Sequence, residues 1–405
     1  MNNLKKIIKR FGLILISSLI IFSPITKVHA EENIDDVNQV KEVINKYFND
    51  EYESIKIGQA INEDNTIYDD KLKEFTDLKY SREALWYKKL GNKLIKYSIN
   101  INYISIEFNK DSSTINLSKD TEFSFSNAPD IVSKEFDDRH TIALKKINNK
   151  WLIDKDIAKS ELDSSNSNIN MKISVTNAVN ESNALDQKIS SLKSRNIDND
   201  INEYKEIEGK VKVKQSEEKK NNNNLIKTSS LITPMGSYGG HTWQVDYNRM
   251  AAVNYAHKWA NSYNSLYVHY DSDCTNFVSQ CIYAGAPKMN RSAGWYYLTP
   301  SIGGPAWINV KNLWNFLINN NGTGPISMDN THYLDMDYGD PIEFWSYYEG
   351  DYSHAVIVTK IDDYGGIYYS GHSNFRYDYS LSSAYATGAY NTSKTRTAHI
   401  FGYNN

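Results

Sequence analysis

The chain has 405 residues, with 45 Lys and Arg against 49 Asp and Glu, for a net charge of −4. That balance lacks the basic footprint of a nucleic-acid partner. The length predicts two or three domains.

Residues 1–30 read as an export signal. Lys5, Lys6, Lys9 and Arg10 precede an apolar run from Phe11 to Phe22, and Val28-His29-Ala30 supplies a small-residue cleavage pattern. The run is too short for a membrane span of about 20 residues. No later stretch is apolar enough to be one, so a secreted, extracellular or cell-wall-associated chain is expected.

Residues 31–158 read as an α+β accessory domain. Val37, Val40, Ile44, Tyr47 and Phe48 recur at helical spacing, and a second helix runs through Leu85, Tyr87, Leu90 and Leu94. The period then becomes two at Tyr97, Ile99, Ile101 and Tyr103. The phase slips by one at Ile104, which predicts a bulge. Further strands are expected at 122–126, 140–147 and 151–156, the last two joined by Asn148-Asn149. His140 reads as a strand residue rather than an acid–base group. This pattern resembles the cone-shaped nuclear-transport-factor-like fold, and that resemblance implies a ligand pocket or a spacer. Residues 159–235 read as an Asn/Ser/Lys-rich linker, too polar to offset its chain entropy, with one short helix through Leu185, Ile189 and Leu192.

Residues 236–405 read as a compact domain. Of the 30 tyrosines, 22 lie after Pro234, as do 6 of the 8 tryptophans, against few charges. Such a surface suits uncharged polymers such as glycans or glycopeptides. A helix through Ala252, Tyr255, Ala256, Trp259 and Tyr263 is followed by a second at 274–284, ended by Gly285 and Pro287. The second helix carries both cysteines of the chain, Cys274 and Cys281. Seven helical residues set them roughly 10 Å apart, beyond the ~7 Å limit for a disulfide. Cys281 shares an apolar face with Phe277, Val278 and Ile282 and reads as a buried small hydrophobe. Cys274 starts the helix, where the dipole favours a thiolate, and is the candidate nucleophile. Asp273 beside it reads as a complement to the dipole.

A strand follows at 354–361, then the turn 362–366 and a return through Ser370, Gly371, His372, Ser373 and Asn374. If Lys360 or Ile361 pairs with Ile367, His354 faces Ser373 or Asn374; a loop one residue shorter sets it against His372. His372 and Asn374 point to one side of their strand. Either can orient His354, which gives the nucleophile–base–orienter logic of thiol hydrolases.

The segments YNRMAAVNYAHKWANSYNSLYVHYDSDCTNFVSQCIYAGAP, GDPIEFW, SHAVIVT and YYSGHSN resemble the bacterial putative amidase domain family. Those proteins are related to the CHAP amidohydrolases and peptidases of the papain-like superfamily. The resemblance covers roughly 247–372, and DCTNFVSQ is its most specific piece. It implies a nucleophile helix packed on an antiparallel sheet, with Cys274 as nucleophile and His354 as base. The third position is His372 or Asn374, with His372 preferred. Family members often carry a second glycine where Ala286 stands, a change expected only to stiffen the turn.

The nine histidines are scattered and no zinc-binding motif occurs. His257, His269 and His399 read as surface or satisfied core residues. The expectation is a secreted, cofactor-free cysteine amidohydrolase acting on bacterial cell-wall peptide. The same thiol could serve an acyltransferase or transpeptidase, or persist in a non-catalytic binding module.

Overall fold

The computed structural model describes residues 34–158, 175–225, 236–298 and 302–405. The expected export segment lies outside these residues. The architecture is α+β, with helices packed on antiparallel sheet.

Helices α1 (Ile34–Ile57) and α2 (Asp70–Leu90) come first. The side chain of Asp69 accepts from Leu72 N–H at the start of α2, and Gly91, in the left-handed region, ends it. The second helix thus begins earlier than the periodicity implied, and Leu94 belongs to the next strand. A meander follows, of β1 (Leu94–Asn109), β2 (Ser112–Phe125), β3 (Ser133–Ile147) and β4 (Lys150–Ala158). The register of β1 on β2 shifts between Tyr103 and Ser105, so Ile104 is the bulged residue. Asn148 and Asn149 both have positive φ, as the tight β3–β4 turn requires.

The stretch expected to be a linker instead holds two helices, α3 (Val175–Ser194) and α4 (Ile197–Leu225). On α4, Ile201, Tyr204, Ile207 and Val211 are buried. They join a core that also contains Trp86 of α2 and Tyr385 near the C-terminus. The helix is polar on average, but one narrow stripe is enough where other segments supply the facing surface.

The remaining elements are β5 (Gly236–Tyr238), β6 (His241–Trp243), β7 (Val245–Asp246), α5 (Arg249–Trp259), α6 (Cys274–Gly285), β8 (Tyr297–Leu298), β9 (Ile302–Gly303), α7 (Pro305–Ile308), α8 (Val310–Asn319), β10 (Gly324–Asp329), β11 (Pro341–Ser346), β12 (Asp351–Ile361), β13 (Ile367–Gly371), β14 (Phe375–Ser380), α9 (Leu381–Ala386) and β15 (Arg396–Asn404). β14 pairs with β3, so the N- and C-terminal parts share one sheet in the order β1-β2-β3-β14-β13-β12-β11-β15-β10. Along β12 the side chains alternate between two cores. Val356 and Val358 join the α2, α4 and α9 side, while Ala355 and Ile357 join the α5, α6 and α8 side.

Arg82 of α2 fastens the first of these layers. It pairs with Asp200 of α4 at 2.6 Å and donates to the carbonyls of Ala386 and Tyr385. Because α2, α4 and α9 share this core, the two parts are expected to unfold together. Tyr204→Ala should cost about 3–5 kcal/mol and shift a single urea transition followed by tryptophan fluorescence. Two separate transitions would mean independent domains.

His140 is a strand residue, but it is buried between two carboxylates. Nδ1 lies 2.7 Å from Asp156 and Nε2 3.0 Å from Asp138. Burial opposes charging the ring, yet the Asp156 and Asp138 charges outweigh it and push His140 up to about 10. An unfolded histidine titrates near 6.5. The charged ring's contribution is therefore complete below about pH 6.5 and is lost as pH rises through about 10. Stability of the wild type should fall over that window in denaturant titrations, and His140→Gln should flatten the fall.

Candidate active site

Helix α6 presents Cys274 as its first residue, only 4% exposed, while Cys281 is wholly buried. The two are not joined, and burial pushes the Cys281 thiol well above its usual value. Two indoles hold the helix. Trp307 Nε1 donates to Asn276 Oδ1 at 3.0 Å, and Trp295 Nε1 donates to Ser279 Oγ at 3.1 Å. At the far end a Cβ on Gly285 would stand 2.3 Å from the Tyr247 ring, so only glycine fits there. Ala286 has negative φ, and the absent second glycine costs nothing in strain.

Asp273 makes no side-chain cap bond to the helix. Its Oδ1 accepts from Tyr270 N–H at 3.0 Å and from the Asn276 amide at 2.8 Å. Its Oδ2 lies 2.7 Å from Nδ1 of His372. The other nitrogen of that ring, Nε2, lies 2.8 Å from the carbonyl oxygen of Trp259. Both partners are acceptors, so a ring that donates to both carries a proton on each nitrogen. The imidazole stacks on Phe277, centroids 4.0 Å apart, and both side chains are nearly fully buried. Asp273 is therefore the partner of a buried histidine, a role missed when it was read as a dipole complement. A buried acid adjacent to the candidate nucleophile was the available signal.

The β12–β13 hairpin explains why His372 reaches α6. Lys360 faces Tyr368, and beyond a bulge Val358 faces Tyr369 and Ile357 faces Ser370. Continued by two and three residues, this register sets Ala355 beside His372 and His354 beside Ser373. His354 thus shares a face with Val356. A Cβ on Gly371 would lie 3.0 Å from Val356 and 3.9 Å from His354 Nε2. The His354 ring is parallel to Phe344 at 6.0 Å. The two histidines occupy opposite faces at the same end of the sheet, and the preferred hydrogen bonding of His372 to His354 gives way to Asp273 and Trp259. Asn374 follows Ser373, whose φ is 82°, and is 8% exposed. Cys274 lies in the same apolar cluster as Ala355, the residue that follows His354 in the chain.

Gly339-Asp340 belongs to the scaffold. Asp340 is fully buried and accepts from Arg249, His399 and the Ile400 N–H at 2.8–3.1 Å, joining α5 to β15. Two further histidines are engaged: His257 meets Asp378 at 2.8 Å, and His269 stacks on Tyr263. Among the described residues no group of three His, Cys, Asp or Glu side chains is arranged to hold a metal ion.

Residues 246–397 match the family model described as "Putative amidase domain", and the C-terminal part of the chain is a domain of that family. The class of activity that this description names is amide-bond hydrolysis. The uncharacterized protein YhbB of Bacillus subtilis is 31% identical over 120 residues, 29% of this chain and 38% of its own length. The uncharacterized protein YjcM of the same organism is 31% identical over 122 residues, 28% of each chain. The chain thus matches well under two thirds of either relative. No solved structure gives a significant match.

The Asp273–His372 pair can be tested by stability. His372→Ala would leave the buried Asp273 carboxylate without one of its hydrogen-bond partners, a loss of about 1–3 kcal/mol in urea unfolding. Adding Asp273→Asn to the same chain should recover part of that loss. A double variant as unstable as the sum of the two singles would mean that the pair is not coupled.

Proposed function

We propose that the C-terminal domain is a cysteine-dependent amidohydrolase and that Cys274 is its nucleophile. The observation that carries this reading is the setting of the thiol. It opens a helix whose neighbouring acid is turned away and held by His372, so the positive end of the helix is left to act on sulfur.

In this mechanism, which is carried by the family resemblance and requires the His354 ring to turn to the end of the sheet beside α6, His354 takes the thiol proton as the Cys274 sulfur attacks the amide carbonyl. The backbone N–H of Cys274 helps hold the oxyanion. Collapse breaks the C–N bond, and the proton passes from His354 to the leaving amine. Water, deprotonated by His354, then cleaves the thioester to give the acid and restore the thiol. Asn374, two residues beyond His372, is assigned as the orienter of His354. His372 acts at one remove, by holding Asp273. The order of a helix-borne cysteine followed by a strand-borne histidine supports the resemblance to papain-like hydrolases.

Bacterial cell-wall peptide is the proposed substrate and export the proposed route to it. Both rest on the charged and apolar pattern of residues 1–30 and on the aromatic, weakly charged C-terminal part.

Digestion of purified peptidoglycan, with identification of the new termini, is the direct test. Cys274→Ser should abolish turnover and leave the circular dichroism spectrum unchanged; an active variant would sink the mechanism. His354→Gln should lower the rate by about 10²–10⁴-fold. Iodoacetamide at neutral pH should alkylate Cys274 faster in the native than in the unfolded chain. Products extended by an added amine would identify a transpeptidase.

A further inference from the structure

A groove of about 540 Å³ lies where the N-terminal strands meet the end of α5. Asn100 faces Asp120, and Asn102 faces Ser118, across β1 and β2. These four side chains line one face of the sheet, while Ile99 and Leu117 turn into the core against the helices. Phe136 of β3 and Asn261, just past α5, complete the wall.

This is the face that carries α5 and α6. Phe136 pairs with Phe375, whose ring is 5.0 Å from that of His372. Tyr263 stands 5.2 Å from Phe375 and 5.3 Å from His372, so aromatic rings lead from the groove to the brace beside Cys274. β1 lies four strands from β13 in the sheet, roughly 19 Å at the usual strand spacing. An occupant of this groove would be a distant part of an extended substrate, remote from the bond that is cut.

The lining has a definite chemistry. Three amides and a hydroxyl offer both donors and acceptors, and the Phe136 ring offers an apolar face. The carboxylates are already engaged. Asp120 accepts from Asp137 N–H at 2.9 Å, and Asp137 pairs with Arg139 at 2.8 Å. No Lys or Arg lines the groove. An anionic ligand finds no counter-charge there, and a peptide with free carboxylates meets two more. A neutral chain rich in hydroxyl and acetamido groups matches every group present.

We propose that the groove binds the glycan part of the substrate, as an uncharged chain of acetamido sugars, and that the N-terminal strands are thereby a specificity element of the enzyme. This rests on the reading of the domain as a cell-wall amidohydrolase. The test uses the full chain carrying Cys274→Ala and, as probe, the β-1,4-linked tetramer of N-acetylglucosamine in titration calorimetry. Saturable binding is expected, weakened at least ten-fold by Asn100→Ala with Asn102→Ala. Both residues are exposed, so the fold is expected to survive, as circular dichroism would verify. In the otherwise wild-type enzyme the same pair should raise KM for glycan-bearing fragments and leave cleavage of a sugar-free peptide unchanged. Absence of saturable binding, or binding indifferent to the pair, overturns the proposal, as does equal competition by a sugar-free stem peptide. If the tetramer binds as expected but no amide is cut by the wild type, the glycan site stands and the hydrolase reading fails.

Discussion

Three residue pairs hold the two parts of this chain in one sheet: Phe375 with Phe136, Arg376 with Glu135, and Tyr377 with Lys134. The middle pair is also a largely buried ion pair, Arg376 to Glu135 at 3.0 Å. Ser133 adds a bond from its hydroxyl to the Asp378 carbonyl. These contacts join segments about 240 residues apart, so they form only after a large loop has closed. Their consequence is a sheet with two continuous faces. One carries α1, α2, α4 and α9, and the other α5, α6 and α8. Every position near Cys274 is set by which face a residue occupies.

Magnitudes decide what the Asp273–His372 pair does for the thiol. Two unit charges ~5 Å apart repel by about 3 kcal/mol at an effective dielectric of ~20. A helix N-terminus stabilises an anion by about 0.3–1 kcal/mol, and up to ~2 in partly buried geometry. An unpaired Asp273 next to a thiolate would therefore outweigh the dipole. With the His372 ring 2.7 Å from its Oδ2 and two N–H donors on Oδ1, the carboxylate is engaged locally. A buried ion pair is weak support for stability. Under the proposed mechanism it is the condition under which an acid can precede a reactive cysteine at all.

What could be read in the sequence was local. The phase slip at Ile104, the Asn148-Asn149 turn and the helix beginning at Cys274 are each fixed by residues within a few positions of one another. Helix α4 was illegible for the opposite reason. Its stripe of Ile201, Tyr204, Ile207 and Val211 is sparse among charged residues, and it is worth burying only because α2 and α9 come from distant parts of the chain to meet it. The candidate residues Cys274, His354, His372 and Asn374 could be named from motif and resemblance. Which of them would touch depended on long-range register, and Asp273 was undervalued because its partner lies 99 positions away.

The register itself turns on one residue. Thr359 has no partner position on β13, since Lys360 faces Tyr368 and Val358 faces Tyr369. It is buried at 2% exposure, with its hydroxyl 3.4 Å from that of Ser370. A one-residue slip in a strand exchanges its two faces. Without this bulge the hairpin would set His354 opposite Asn374 and on the same face as His372. The extra residue is what lets one hairpin send His372 to the helix and His354 to the other side. A bulge beside a candidate catalytic histidine is thus part of how the site is built.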